Sequence, residues 1–133
     1  MVAVVNVPSF TASGNISPRR FVKISGPMKV AQCSVAGERA FGVSQEALMD
    51  TPIPGASSTL AAEAGRQVGV FGPGEVCLIQ VASAVTAGAY LKGDANGKAV
   101  ATTTANDIYN AQALEDQATA DGSVLCFIQT GKI

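Results

Sequence analysis

The side chains that could do chemistry in this chain are few, and their spacing builds no familiar site. Three cysteines, Cys33, Cys77 and Cys126, are the only soft nucleophiles, and no histidine is available to activate them. A Cys–His or Ser–His pair therefore cannot form, because the imidazole that would act as general base is missing. A thiolate-only zinc site needs four cysteines, usually in close pairs, and three widely separated ones fall short. Their scatter also argues against a disulfide framework and fits buried small hydrophobes in a reducing compartment. The acids Glu38, Glu46, Glu63, Glu75, Asp94 and Glu115 sit singly near turn signals, so solvated turn residues explain them better than a paired acid–base site. Asp94-Ala-Asn96-Gly97 opens like a calcium loop, but Ala105 stands where the bidentate Glu is required. The glycines of Gly69-Val-Phe-Gly72-Pro-Gly74 lie on a turn with no helix after them, unlike a phosphate-binding loop. No cofactor, no metal and no catalytic residue is expected, and the chain reads as a non-enzyme.

Whole-chain properties narrow the partners. A net charge of −1 and one basic pair, Arg19-Arg20, leave no basic face for nucleic acid. No apolar run approaches the roughly 20 residues of a membrane-spanning helix, and Met1–Val7 lacks the positive start of a secretory signal. Neither nucleic acid nor membrane is an expected partner. Hydrophobic residues make up 47% of the chain and aromatics 5%, so Ala and Val carry the core. Such a core is thin, and association with other subunits would add to its stability.

The elements that remain are short strands between Gly and Pro. Residues 1–20 read as an extended arm in which Val2, Val4, Val5, Val7 and Phe10 are the candidate contacts to a partner, the valines as an added strand and Phe10 as an anchor. Residues 21–133 read as a single β domain. Phe21–Ile24 and Met28–Val35 alternate as strands, and Ser58–Gly65 could close one or two helical turns. Arg66–Phe71 and Glu75–Val81 flank Gly72-Pro73-Gly74, which suits a type II turn and predicts a hairpin. Asn96-Gly97 predicts a second hairpin. Ser123–Gln129 is apolar on both faces and is expected to be central. Asn106–Ala118 has helical spacing, yet Ala40–Glu46 followed by Gly65 and a strand has a weak echo in Tyr109–Glu115 followed by Gly122 and a strand. The echo decides for strand. The fold class is all-β: a small β-sandwich or barrel of short antiparallel strands, with at most one or two short helices.

Three runs, Ala36-Gly-Glu-Arg-Ala-Phe-Gly-Val43, Gly65-Arg-Gln-Val-Gly-Val70 and Val85-Thr-Ala-Gly-Ala-Tyr-Leu91, resemble small bacteriophage capsid decoration (head cement) proteins. So do Asp94–Val100, Ala111–Glu115 and Gly122–Ile128. The chain departs from that pattern in a longer stretch at 49–64 and in Ala89, where an acid often follows the glycine. The resemblance implies a virion protein, made in the host cytoplasm, on the outer surface of a phage head. It would bind the major capsid protein at junctions between subunits, with a homo-oligomer, a trimer by preference, as its own state. A tail or neck component is the second reading. A carbohydrate-binding barrel comes third, since Tyr90 and Tyr109 are the only aromatic platforms of the usual kind and tryptophan is absent.

Overall fold

A computed structural model describes residues 9–44 and 62–133. Every regular element among them is a strand: β1 (Ser9–Ala12), β2 (Phe21–Gly26), β3 (Lys29–Gln32), β4 (Gly42–Ser44), β5 (Gln67–Phe71), β6 (Val76–Gln80), β7 (Tyr90–Gly93), β8 (Ala99–Thr102), β9 (Ile108–Ala113) and β10 (Ser123–Lys132). The first five close a barrel in the order β1-β3-β2-β4-β5, and the last five form a sheet in the order β6-β10-β9-β7-β8. The all-β reading holds, and Asn106–Ala118 contains the strand β9 as the repeat predicted. In the predicted helical turn, 58–61 lie outside the described residues. Ala62 instead bridges Ile16 before a turn that ends in the left-handed Gly65.

The two halves are copies of one topology. Strand β1 pairs β5 as β6 pairs β10, and β4 pairs β5 as β9 pairs β10. Likewise β2 pairs β4 and β3 as β7 pairs β9 and β8. The parallel contact of β1 with β3 returns as the parallel bridge Val81–Ala99. One constant shift along the numbering carries Ile16 to Val85, Val22 to Leu91 and Val30 to Ala99. The same shift carries the ion pair Lys23–Glu38 (3.0 Å) onto Lys92–Asp107 (2.9 Å). It also superposes left-handed residues: Arg19 on Gly88, Met28 on Gly97 and Gly37 on Asn106. A smaller shift relates β5 to β10, with Val68 on Val124, Phe71 on Phe127 and Gly65 on Asp121, because the stretch after β4 is longer than that after β9. The sequence echo belongs to a duplicated topology that takes in every strand among the described residues.

The cores repeat too. The barrel interior holds Phe10, Ala12, Ile16, Val22, Val30, Val68 and Val70, together with Ala62. Their counterparts Ile79, Val81, Val85, Leu91, Ala99, Val124 and Cys126 all lie in the second core. That second core differs in having a lid, since Phe21, Cys33, Ala40 and Val43 reach into it from the first unit. The first barrel closes directly, with Thr11 N–H donating to the Met28 carbonyl at 2.9 Å. In the second unit Gln80 N–H donates to Arg19 instead, and the Gly97 carbonyl receives Phe21 N–H at 2.8 Å. The Arg19–Phe21 segment thus sits where the second barrel would have shut, and Phe21 enters its interior fully buried. Buried Asn110 fixes the junction: its amide oxygen accepts Ala40 N–H (3.0 Å) and its amide nitrogen donates to the Glu38 carbonyl (3.1 Å).

Two expectations change. Residues 9–20 do not run as an arm: Phe10 is 6% exposed, Ile16 is fully buried, and β1 lies between β3 and β5. Serine, threonine and proline punctuation disguised a strand whose partners are distant in sequence. The turn at Gly72-Pro73-Gly74 forms, with Gly74 left-handed and Glu75 N–H donating to Gly72. Yet β5 and β6 do not pair, since β5 is taken by β1 and β4 and β6 by β10. The turn links the two units. The Asn96-Gly97 hairpin forms as expected, with Asp94 Oδ1 accepting the N–H groups of Asn96 and Lys98. Gly42 is obligatory, because a Cβ there would stand 2.0 Å from the Phe71 carbonyl oxygen.

Candidate interaction surface

The acids are occupied in holding turns. Glu75 accepts Gly72 N–H, Asp116 accepts Ala87 N–H and Glu115 accepts Leu125 N–H, at 2.7–3.0 Å. Glu38 loses some hydration through burial, but the Lys23 ammonium and the Ser34 and Val35 amides outweigh that and hold its carboxyl below the usual range. Asp107 is held low by the Thr102 hydroxyl and by Lys92. Burial, with Glu38 nearby, pushes the Cys33 thiol up to about 12 and leaves it unreactive. Among the described residues no three acids, cysteines or histidines gather to ligate a metal, and no helix is long and apolar enough to cross a membrane.

What stands out is the outer face of the second sheet. On β6 and β10, Val76 lies opposite Phe127 and Leu78 opposite Leu125. Their strand neighbours Cys77, Ile79, Val124 and Cys126 fill the interior, so alternation sends these four outward. Val76 is 51% exposed, Leu125 39% and, just past β9, Leu114 48%. The row continues across the sheet from Phe127 to Gln112 and on to Tyr90, which stacks on Tyr109 with ring centroids 4.3 Å apart. The result is an apolar band over four strands, interrupted by Gln112 and bordered by the Glu115 carboxylate, of the kind that marks a contact surface.

The duplicated first unit serves as an internal control. Where the second unit has Leu78, Gln80, Ser123 and Leu125, the first has Ser9, Thr11, Gln67 and Gly69, and Gln67 there donates to the Thr11 hydroxyl. The topology does not require leucines at these positions. Covering the exposed side chains of Val76, Leu114 and Leu125 gains on the order of 1 kcal/mol each. Association costs roughly 4–15 kcal/mol in lost rigid-body freedom, so one such contact is weak by itself. A shallower concavity of about 460 Å³ lies near the junction of the units, lined by Lys23, Ile24, Arg39, Phe41, Pro73 and Thr130.

The contact residues expected from sequence fall elsewhere. Val2, Val4, Val5 and Val7 lie outside the described residues. Phe10 is committed to the barrel interior, edge-on to Phe41 with centroids 5.5 Å apart, and is not a free anchor. The band itself was signalled by Ser123–Gln129, apolar on both faces. That strand is indeed central, between β6 and β9, but only one of its faces is covered.

No family model and no curated protein matches the chain. Among solved structures, the N base of head fiber gp8.5 from bacteriophage phi29 is similar over 94% of both chains, with a TM-score of 0.56 and 17% identity. At that identity the likeness is one of fold. It extends through both units of the duplication.

Proposed function

We propose that this protein is a structural component of a phage virion that binds the outside of the head at junctions between major capsid subunits and stabilises the shell. Contact is its activity, without catalysis or cofactor. The observation that carries this reading is an exposed apolar band displayed on a fold shared with the base of a phage head fiber. The sequence resemblance to head decoration proteins points the same way. A weak single contact suits the role, because many copies on one lattice must be broken together before the shell opens. Residues Val2, Val4, Val5 and Val7 would extend the contact as an added strand on capsid or sister subunit, and a trimer would present three bands at once.

The test is co-sedimentation with heads that lack the protein, comparing the natural chain with Leu125→Asp and Leu78→Asp. Both positions are on the solvent side, so the variants fold, and binding falls at least tenfold. Undiminished binding by both variants overturns the assignment of the surface. A second reading, favoured by the same structural likeness, is a base that attaches a fiber to the head without stiffening it. Heads saturated with the protein then open at the same temperature as bare heads, whereas a cement raises that temperature.

A further inference from the structure

Cys77 and Cys126 occupy directly opposed positions on β6 and β10, with both side chains in the second core. Ile128 N–H donates to the Glu75 carbonyl, and Val81 N–H to that of Gly122. Counting inward by twos along this ladder makes 77–126 a hydrogen-bonded pair. The Cα atoms of such a pair stand about 5.5 Å apart, within the span of about 4.4–6.8 Å that a disulfide bridges. The two thiols are within hydrogen-bond reach of each other and both are unoxidised. Cys33, the third cysteine, faces Glu38 at the other side of the same core.

We propose that Cys77 and Cys126 form a reversible disulfide that clasps β6 to β10, open in the reducing cytoplasm and closed in oxidising surroundings. The clasp depends on the ladder geometry alone, not on the functional reading above. With glutathione disulfide as oxidant, one thiolate attacks a glutathione sulfur and expels one glutathione thiolate, leaving a mixed disulfide. The second thiolate then attacks the protein sulfur and expels the other. Two thiol protons are released, the protein loses two electrons, and glutathione disulfide becomes two glutathiones. Opposed Cβ atoms on a ladder are about 4.5–5.5 Å apart, and a disulfide draws them to about 3.5–4.5 Å. The closed clasp is therefore strained, which makes it easy to reduce. In the folded chain the Cys77 thiol is held protonated by its hydrogen bond to Cys126 and by burial, so exchange is slow until the ladder end opens.

The experiment treats the full chain with glutathione disulfide at neutral pH without denaturant, then maps peptides by mass under non-reducing conditions and records thermal unfolding. The expected product is an intramolecular 77–126 link, lighter by two hydrogens, with a melting temperature several degrees higher that reverts on adding dithiothreitol. Cys33→Ala gives the same link, and Cys126→Ala gives none. Mapping of the natural chain decides the matter even where a variant folds poorly. Glutathione adducts without a 77–126 link, links through Cys33, or a link that leaves the melting temperature unchanged would each overturn the proposal.

Discussion

Phe10 separates two accounts of the N-terminal region, so Phe10→Ala is the most informative single substitution. Read as an arm anchor, Phe10 would stand free of the domain, and its loss would cost binding but not stability. The structure places it 6% exposed in the barrel interior, against Phe41, on a strand that closes the barrel between β3 and β5. Truncating a buried phenylalanine costs about 3–5 kcal/mol, the removed surface and the cavity together. The edge-on ring pair accounts for about 0.5–1.5 kcal/mol within that. Against a total of about 5–15 kcal/mol for a domain, Phe10→Ala should remove about a fifth of the stability or more. Urea unfolding followed by circular dichroism should show a much lower midpoint with little change in slope. A paired deletion makes the same point. Removing residues 1–8 leaves the domain folded, whereas removing 1–12 takes away β1 and opens the barrel. A Phe10→Ala chain with an unshifted midpoint and lost head binding would refute this account and restore the arm.

Asn110→Ala strips Ala40 N–H and the Glu38 carbonyl of their buried partner. At about 1–3 kcal/mol for each group left unpaired, denaturant unfolding should show a loss of about 2–6 kcal/mol, and a smaller loss would mean that water reaches the junction. Asp107 has its carboxyl pKa held low by Thr102 and Lys92. A depressed carboxyl adds stability above its unfolded value near 4 and loses it as pH falls through the lower folded value. Stability measured from pH 2 to 6 should therefore fall less steeply at the acid end in Asp107→Asn than in the natural chain. An identical acid limb in the two would show that the duplicated ion pair contributes nothing. Leu125→Asp should leave the unfolding free energy from urea titration within about 0.5 kcal/mol of the natural chain, as surface changes do; a large drop would mean that the band is core.

Much of the fold was legible because its signals were local. Asn96-Gly97 demands a left-handed residue, alternation marks β2 and β3, an apolar run marks β10, and the Tyr109–Glu115 echo overrode helical spacing at β9. What was misread depended on distant pairing. Turn chemistry at Pro73-Gly74 is real, but a turn says only that the chain reverses, not that the strands it joins are neighbours. Strand β1 was hidden because its partners come from Lys29–Gln32 and Gln67–Phe71, and four residues carry too little pattern to announce a barrel edge.

The outward band was hard to read for a related reason. Apolarity on both faces of β10 predicts a central strand, and β10 is central, but centrality in a sheet does not say whether one face or both are covered. The duplication supplies the distinction that composition lacks. Two units under the same topological constraints carry Ser9, Thr11, Gln67 and Gly69 in the first and Leu78, Gln80, Ser123 and Leu125 at the matched positions of the second. Residues the fold needs recur in both, as with the lysine–carboxylate pairs and the left-handed positions. Residues that differ in kind at matched positions are free of the fold and open to a task. By that criterion the lid residues Phe21, Cys33, Ala40 and Val43 serve the junction of the units, since their counterparts Tyr90, Thr102, Tyr109 and Gln112 are more polar. Among the described residues nothing covers the leucines of β6 and β10, as the proposed contact with another subunit requires.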